Sequence, residues 1–187
     1  MKYYKLLMDL DRPNDIVAHC INDFGIEDEE LTIGKEFQGW DDRFKFFYDK
    51  TEGTIATDYL ANDMCWFVVS DKLKIIMETM NSNIQFLPIE VLEKESEKKL
   101  IYYVANILKL VDALCLEKSD YFETDIPNIG IIYTISNYAI YEKKVQNIDI
   151  FKLSGNQEIP IFISEDFKEA ILKNDITGID FLEVKTI

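Results

Sequence analysis

The sequence predicts an α+β fold, a single sheet-rich domain over 1–187 carrying two copies of a strand–helix–strand unit. Two observations support this. Residues 67–89, FVVSDKLKIIMETMNSNIQFLPI, and residues 161–184, IFISEDFKEAILKNDITGIDFLEV, follow one pattern. Ser70 matches Ser164 and Lys74 matches Lys168. With one residue of slack in the turn, Ile84, Phe86 and Leu87 match Ile179, Phe181 and Leu182. Outside the copies, short β-branched and aromatic runs alternate with turns, so that about eight or nine strands stand against two firm helices.

In chain order, 2–10 carries two tyrosines and a Leu-Leu-Met run, which suits an opening strand. Asp11-Arg-Pro-Asn14 is a turn by residue type, and 16–21 reads as a short second strand. Residues 25–30 are acidic and read as exposed loop. Phe44, Phe46 and Tyr48 share one parity and predict a strand, although Phe47 breaks the alternation. Residues 51–54 turn the chain, and 58–62 read as a single helical turn.

The first copy opens with 65–69, a continuous apolar run expected for a strand covered on both faces. Ser70 is a natural N-cap, and Asp71 sits where the helix dipole favours an acid. Leu73, Ile76, Met77 and Met80 fall at i, i+3, i+4 and i+7, one apolar helix face. After Asn81-Ser-Asn83, 84–91 returns as a strand in which Pro88 argues for an edge position or a strand end. The second copy repeats this grammar. Residues 159–163 form the strand, Ser164 the cap, and Glu165 and Asp166 the first turn. Phe167, Ala170 and Ile171 form the apolar face, and Gly178 allows a sharp re-entry into the closing strand 179–184.

Between the copies, 93–99 is charged and solvated. Residues 100–116 admit a helical face through Leu100, Tyr103, Val104, Ile107, Val111 and Leu114, while Tyr102-Tyr103-Val104 prefers strand. The reading favours a strand to about Asn106 with a short helix or turn after it. Residues 129–135 and 138–142 read as a hairpin around Ser136-Asn137, and 147–153 as one more strand.

Thirty-five acids against 20 bases give a formal net charge of −15. Such a field repels nucleic acid and anionic membrane surfaces and favours a basic partner; the bland alternative is simple solubility. The N-terminal apolar run is too short for a signal-peptide core, so a cytoplasmic location is expected. Cys20, Cys65 and Cys115 are odd in number and lie in apolar sequence, which predicts buried thiols. His19, the only histidine, reads as a partly buried structural residue. Neither phosphate-cradling glycine motifs nor a nucleophile elbow occurs, so no cofactor and no enzymatic activity are expected.

Acids and aromatics mix in two places, Trp40 with Asp41 and Asp42, and Asp120, Tyr121, Phe122, Glu123 and Asp125. The plain reading of both is solvated loop with an anchored aromatic. The functional reading is a partner-binding surface built from Trp40, Asp41, Asp42, Asp120, Tyr121, Glu123 and Asp125, since aromatic anchors and matched charge are what interfaces use. Paired carboxylates at Asp41, Asp42, Glu123 and Asp125 would also be compatible with a hydrolase.

FVVSDKLKIIMETMNSNIQFLPIEV, YYVANILKLVDALCLEKSDY, IFKL and IFISEDFKEAILKNDITGIDFLEV, in that order, resemble a family of bacterial polymorphic-toxin immunity proteins. Its members pair a middle Val-Ser-acid helix segment with a C-terminal Phe-x-Ser-x-x-Phe/Leu-Lys … Thr-Gly-x-x-Phe ending. The residues here are Phe162, Ser164, Phe167, Lys168, Thr177, Gly178 and Phe181. The match spans about 58–184, and its motifs are caps, core positions and a turn glycine. What the resemblance implies is a non-enzymatic protein that binds and neutralises a cognate toxin domain encoded beside it; it names no interface residues. A non-enzymatic adaptor or scaffold with an unrelated partner is the alternative.

Overall fold

The computed structural model of the chain describes residues 1–20, 30–41, 44–96, 98–128, 130–155 and 159–187. The acidic loop expected at 25–30 falls outside them except for Glu30. The chain runs through β1 (Tyr3–Met8), β2 (Val17–Cys20), β3 (Lys45–Tyr48), β4 (Tyr59–Asn62), β5 (Val68–Val69), α1 (Asp71–Glu78), β6 (Ile84–Glu93) and β7 (Lys99–Ile107). It continues through β8 (Leu110–Val111), β9 (Asp120–Ile126), β10 (Gly130–Asn137), β11 (Ala139–Ile140), α2 (Glu142–Val145), β12 (Ile150–Leu153), β13 (Ile161–Ser164), α3 (Glu165–Lys173) and β14 (Ile179–Thr186). Strand dominates, as an α+β, sheet-rich fold requires.

Six strands close into a barrel in the order β2-β3-β6-β7-β5-β4, and six more form a sheet in the order β11-β14-β1-β13-β12-β8. In the barrel, β5 and β6 flank β7 and run antiparallel to it. In the sheet, β13 and β14 flank β1 in the same way. The N-terminal strand therefore completes the C-terminal sheet. The correspondence continues outward: β2 runs parallel to β4 as β8 does to β12, and β3 runs parallel to β6 as β11 does to β14. Residues 113–115, just after β8, bond across to β11 and draw the sheet's two edges together.

Strand alternation explains three packed layers. Val68, Leu87, Ile89 and Val104 point into the barrel, beside Phe46, Trp66 and Tyr102. Their neighbours Val69, Phe86 and Ala105 point out, into a central layer where Leu73 and Met77 of α1 meet Phe167 and Ile171 of α3. Tyr4, Ile161 and Ile163 enter that layer from the sheet, and Tyr3, Phe151 and Phe162 fill the sheet's far side. Burial on both faces is why these strands read as unbroken apolar runs. Each large side chain so buried contributes about 1.5–3 kcal/mol.

Two aspartates tie the helices to the opposite half. Ser70 Oγ accepts the Leu73 N–H at 3.2 Å and donates to Asp58 Oδ1 at 2.6 Å. Ser164 Oγ accepts the Phe167 N–H at 3.2 Å and donates to Asp149 Oδ1 at 2.7 Å. The second oxygen of each carboxylate takes the chain leaving the other helix: Asp58 Oδ2 accepts Thr177 N–H at 2.9 Å, and Asp149 Oδ2 accepts Asn81 N–H at 2.8 Å. Thus each carboxylate fixes the start of one helix and the end of the other. Lys74 lies over Phe86 and Tyr103, at 5.4 and 5.1 Å, as Lys168 lies over Phe181 and Tyr4, at 5.3 and 3.9 Å. At Gly178, where φ is 82°, a Cβ would run into the Tyr59 carbonyl oxygen, so the return from α3 requires glycine.

Several expectations need correction. Residues 58–62 are not a helical turn but lead into β4, because Asp58 is spent on the latch and Tyr59 enters the ladder beside Val69. The hairpin is not folded at Ser136-Asn137: β10 pairs back onto β9, and 138–142 divides into β11, parallel to β14, and the start of α2. The apolar run 65–69 is strand only at Val68–Val69, since Cys65 is exposed with φ 53°. Of the three cysteines only Cys115 is buried. The region 100–116 resolves as strand, then the short β8, with a 3-10 turn at Leu116–Lys118. Pro88 sits inside the ten-residue β6 at a point that β3, paired only from Glu90 on, does not reach.

Two outcomes follow for stability. Asp58→Ala and Asp149→Ala should each cost on the order of 3 kcal/mol in urea unfolding, since each strands donors at both helices. Asp71→Ala, an exposed first-turn acid, should cost only about 0.5 kcal/mol. Burial pushes the Tyr59 phenol up to about 12 and raises Tyr102 as well. A folded value above the unfolded 10.0 means that this stability is whole below pH 10 and is lost as pH climbs toward about 12. Unfolding midpoints measured between about pH 9 and about pH 11.5 should fall, and fall less steeply in Tyr59→Phe.

Candidate functional site

The residues singled out by sequence belong to different sheets. Trp40 and Asp41 stand against the barrel wall at β6; Asp120, Tyr121, Glu123 and Asp125 lie on the β9–β10 hairpin of the other half; Asp42 lies outside the described residues.

The Trp40 site is built by side-chain amides standing in for a missing strand. Gln85 on β6 accepts the Phe37 N–H through Oε1 at 2.9 Å and donates through Nε2 to the Phe37 carbonyl at 2.8 Å. Asn106 on β7 supports it, donating to Gln85 Oε1 at 3.1 Å and to the Lys35 carbonyl at 2.7 Å. Pro88 has no N–H to offer, and its carbonyl is taken by Trp40 Nε1 at 2.8 Å. The indole then stacks on Phe44 with centroids 3.9 Å apart and planes 8° apart, and Phe37 meets it edge-on. Beside the indole opens an apolar groove of about 500 Å³ whose walls include Leu87, Pro88, Ile89 and the exposed Ile101. Asp41 and Glu90 stand at its margin. Hydrogen bonding to Lys99 at 2.7 Å holds the Glu90 carboxyl below its usual range. Glu90 is therefore a neutralised rim.

The hairpin is differently made. Tyr121, Glu123 and Asp125 face Ile135, Tyr133 and Ile131 across the ladder. Tyr121 meets Tyr133 edge-on at 5.4 Å, and Ile135 is buried, so the root is packed while Phe122 and Ile131 are 70% and 57% exposed. Asp120 is hydrogen-bonded by Asn137 at 3.0 Å. The carboxylates of Glu123 and Asp125 make no hydrogen bond or ion pair among the described residues. The plain sequence reading of these acids is solvated loop, and that of Ile131 a strand over 129–135; the structure puts the acids on β9, paired with the strand that carries Ile131. The signal was present in Tyr121, Glu123 and Asp125 sharing one parity, followed by Pro127-Asn128 and Gly130.

His19 stands between two carboxylates, Nε2 2.7 Å from Glu52 and Nδ1 3.6 Å from Asp63, on β2. Among the described residues no group of three or more His, Cys, Asp or Glu side chains is arranged to hold a metal. No helix among them is long and apolar enough to cross a membrane.

The fold and its surfaces define an acidic, sheet-rich α+β protein that presents an aromatic groove on one half and an acidic hairpin on the other. The chain belongs to the immunity protein family (Imm11), whose model matches residues 2–186. No curated protein matches the chain.

Replacing the groove's keystone should be legible in stability. Trp40→Ala should lower the guanidinium midpoint by the equivalent of about 2 kcal/mol, less than a fully buried tryptophan would cost. Trp40→Phe, which keeps the stack and loses only the bond to Pro88, should cost about 1 kcal/mol. The denaturant slope should be unchanged in both, because the segment is docked by side chains outside the ladders.

Proposed function

We propose that this chain is a non-enzymatic immunity protein that acts in the cytoplasm, binding a cognate toxin domain of a polymorphic toxin system and blocking it physically. The family match over 2–186 carries the reading. The toxin is a basic one: a formal charge of −15 draws a cationic partner in and raises the encounter rate. Contact involves Trp40, Asp41 and Asp42 on one half and Asp120, Tyr121, Glu123 and Asp125 on the other. The same reading takes 1–187 as one domain carrying two copies of a strand–helix–strand unit. The matched serine–aspartate latches and matched lysine–aromatic contacts support it.

Co-expression with the toxin domain encoded beside this gene should restore growth to cells that the toxin alone arrests. Failure to rescue, or the absence of any toxin-like neighbour, sinks the reading. In stopped-flow measurements the association rate should fall about tenfold or more between about 0.05 M and about 0.5 M salt. A salt-independent rate would point to a partner that is not basic.

A further inference from the structure

The β9–β10 hairpin is a two-stranded sheet, and no third strand lies beside β9 among the described residues. Antiparallel pairing uses alternate backbone groups of an edge strand, so the remaining donors and acceptors of β9 face outward. Exposed edges of this length are commonly blunted by lysine, proline or a bulge. β9 has neither lysine nor proline, and the ladder's register shift lies at its root, between Ile135 and Asn137. The edge therefore remains open along most of its seven residues. Phe122, 70% exposed, stands on the face opposite Tyr121, Glu123 and Asp125.

Charge decides what can fill this edge. Residues 120–137 hold three acids and no lysine or arginine. Glu123 and Asp125 face Tyr133 and Ile131, not cations. A second copy of β9 laid alongside would bring acids against acids, which is destabilising in a ladder. A strand with lysine or arginine at every second position would set its cations beside Glu123 and Asp125 and leave its other face for Phe122.

We propose that β9 is the recognition edge for the toxin, which adds an extended, basic strand to it by backbone pairing. Glu123 and Asp125 select the cations of that strand, and Phe122 anchors an apolar side chain. This rests on the immunity reading above and names the mode of contact within it.

The test uses the full chain, with the purified, catalytically inactivated toxin domain of the adjacent gene as probe. On binding, amide exchange in β9 should slow at least about tenfold, because added-strand pairing covers its outward N–H groups. Glu123→Lys/Asp125→Lys should weaken binding about tenfold or more, mainly through the association rate. Phe122→Ser should weaken it by a similar factor through dissociation. If the double lysine variant loses its circular dichroism signature, Glu123→Gln/Asp125→Asn takes its place and should weaken binding severalfold; if Phe122→Ser does, Phe122→Ala takes its place. Wild type that protects and binds with no change in β9 exchange, or with unaffected variants, overturns the edge and leaves the immunity reading standing. A concentration-dependent dimer with β9 protected in the absence of toxin assigns the edge to a second copy and likewise overturns it. Wild type that neither protects nor binds removes the immunity reading, and the edge falls with it.

Discussion

The structure depends on two carboxylates, Asp58 and Asp149, more than on any other polar groups. Each is half-buried, and each accepts from a capping serine with one oxygen and from the exit of the opposite helix with the other. A helix of eight or nine residues is too short to persist alone. Here the N-terminal orphan donors of α1 and α3 reach a hydroxyl already oriented by a carboxylate. That carboxylate is fixed by the backbone leaving the other helix. Neither helix end can loosen without releasing a bond at its partner. Strand exchange reinforces this, since β1 lies between β13 and β14 while β7 lies between β5 and β6. Hydrogen bonds and the central apolar layer thus couple the same two halves.

Much of this frame was legible in sequence because it rests on local rules. Ser70 and Ser164 announce caps, Leu73 to Met80 announce a helix face, and the two-sided burial of β5 and β13 shows as unbroken apolar residues. What stayed hidden was set by distant partners. Asp58 looked like the start of a helical turn because nothing nearby says that its carboxylate belongs to Ser70 and Thr177. The hairpin was misplaced because Ser136-Asn137 has turn-forming residue types, whereas the ladder that beats it joins Asp120–Ile126 to Gly130–Asn137. Of the candidate site, residue types pointed to Trp40 and to the acids of 120–125. They could not show that Gln85 and Pro88 on a strand 45 or more positions later hold the Trp40 segment.

The two candidate surfaces occupy corresponding connections. The segment carrying Trp40 and Asp41 joins β2 to β3, and the hairpin joins β8 to β11; β2 and β8 run parallel to β4 and β12, and β3 and β11 to β6 and β14. Strand pairs that correspond in direction thus carry two dissimilar connections. The capping serines, each followed by acids, resemble reactive groups by composition alone. Their hydroxyls are committed on both sides, accepting from a helix N–H and donating to a carboxylate. They are scaffold, and the connections are free to differ.

Where the lysines go explains how an acidic protein acquires a directed surface. Lys99 and Lys45 converge on Glu90, Lys50 reaches Glu93, Lys94 reaches Asp49 and Lys144 reaches Asp112. Exposed pairs such as these contribute about 0–1 kcal/mol each, so their value for stability is slight. Their effect on the field is larger, because each lysine cancels an acid where it stands. The hairpin holds three acids and no base of its own, and Glu123 and Asp125 make no ion pair among the described residues. Glu123 and Asp125 therefore keep carboxylate charge that no ion pair among the described residues cancels, while Glu90 is paired with Lys99 and Lys45. On the proposed reading, a cationic partner would be drawn to the hairpin by charge. The groove at Trp40, its Glu90 margin neutralised, has mainly apolar area to offer.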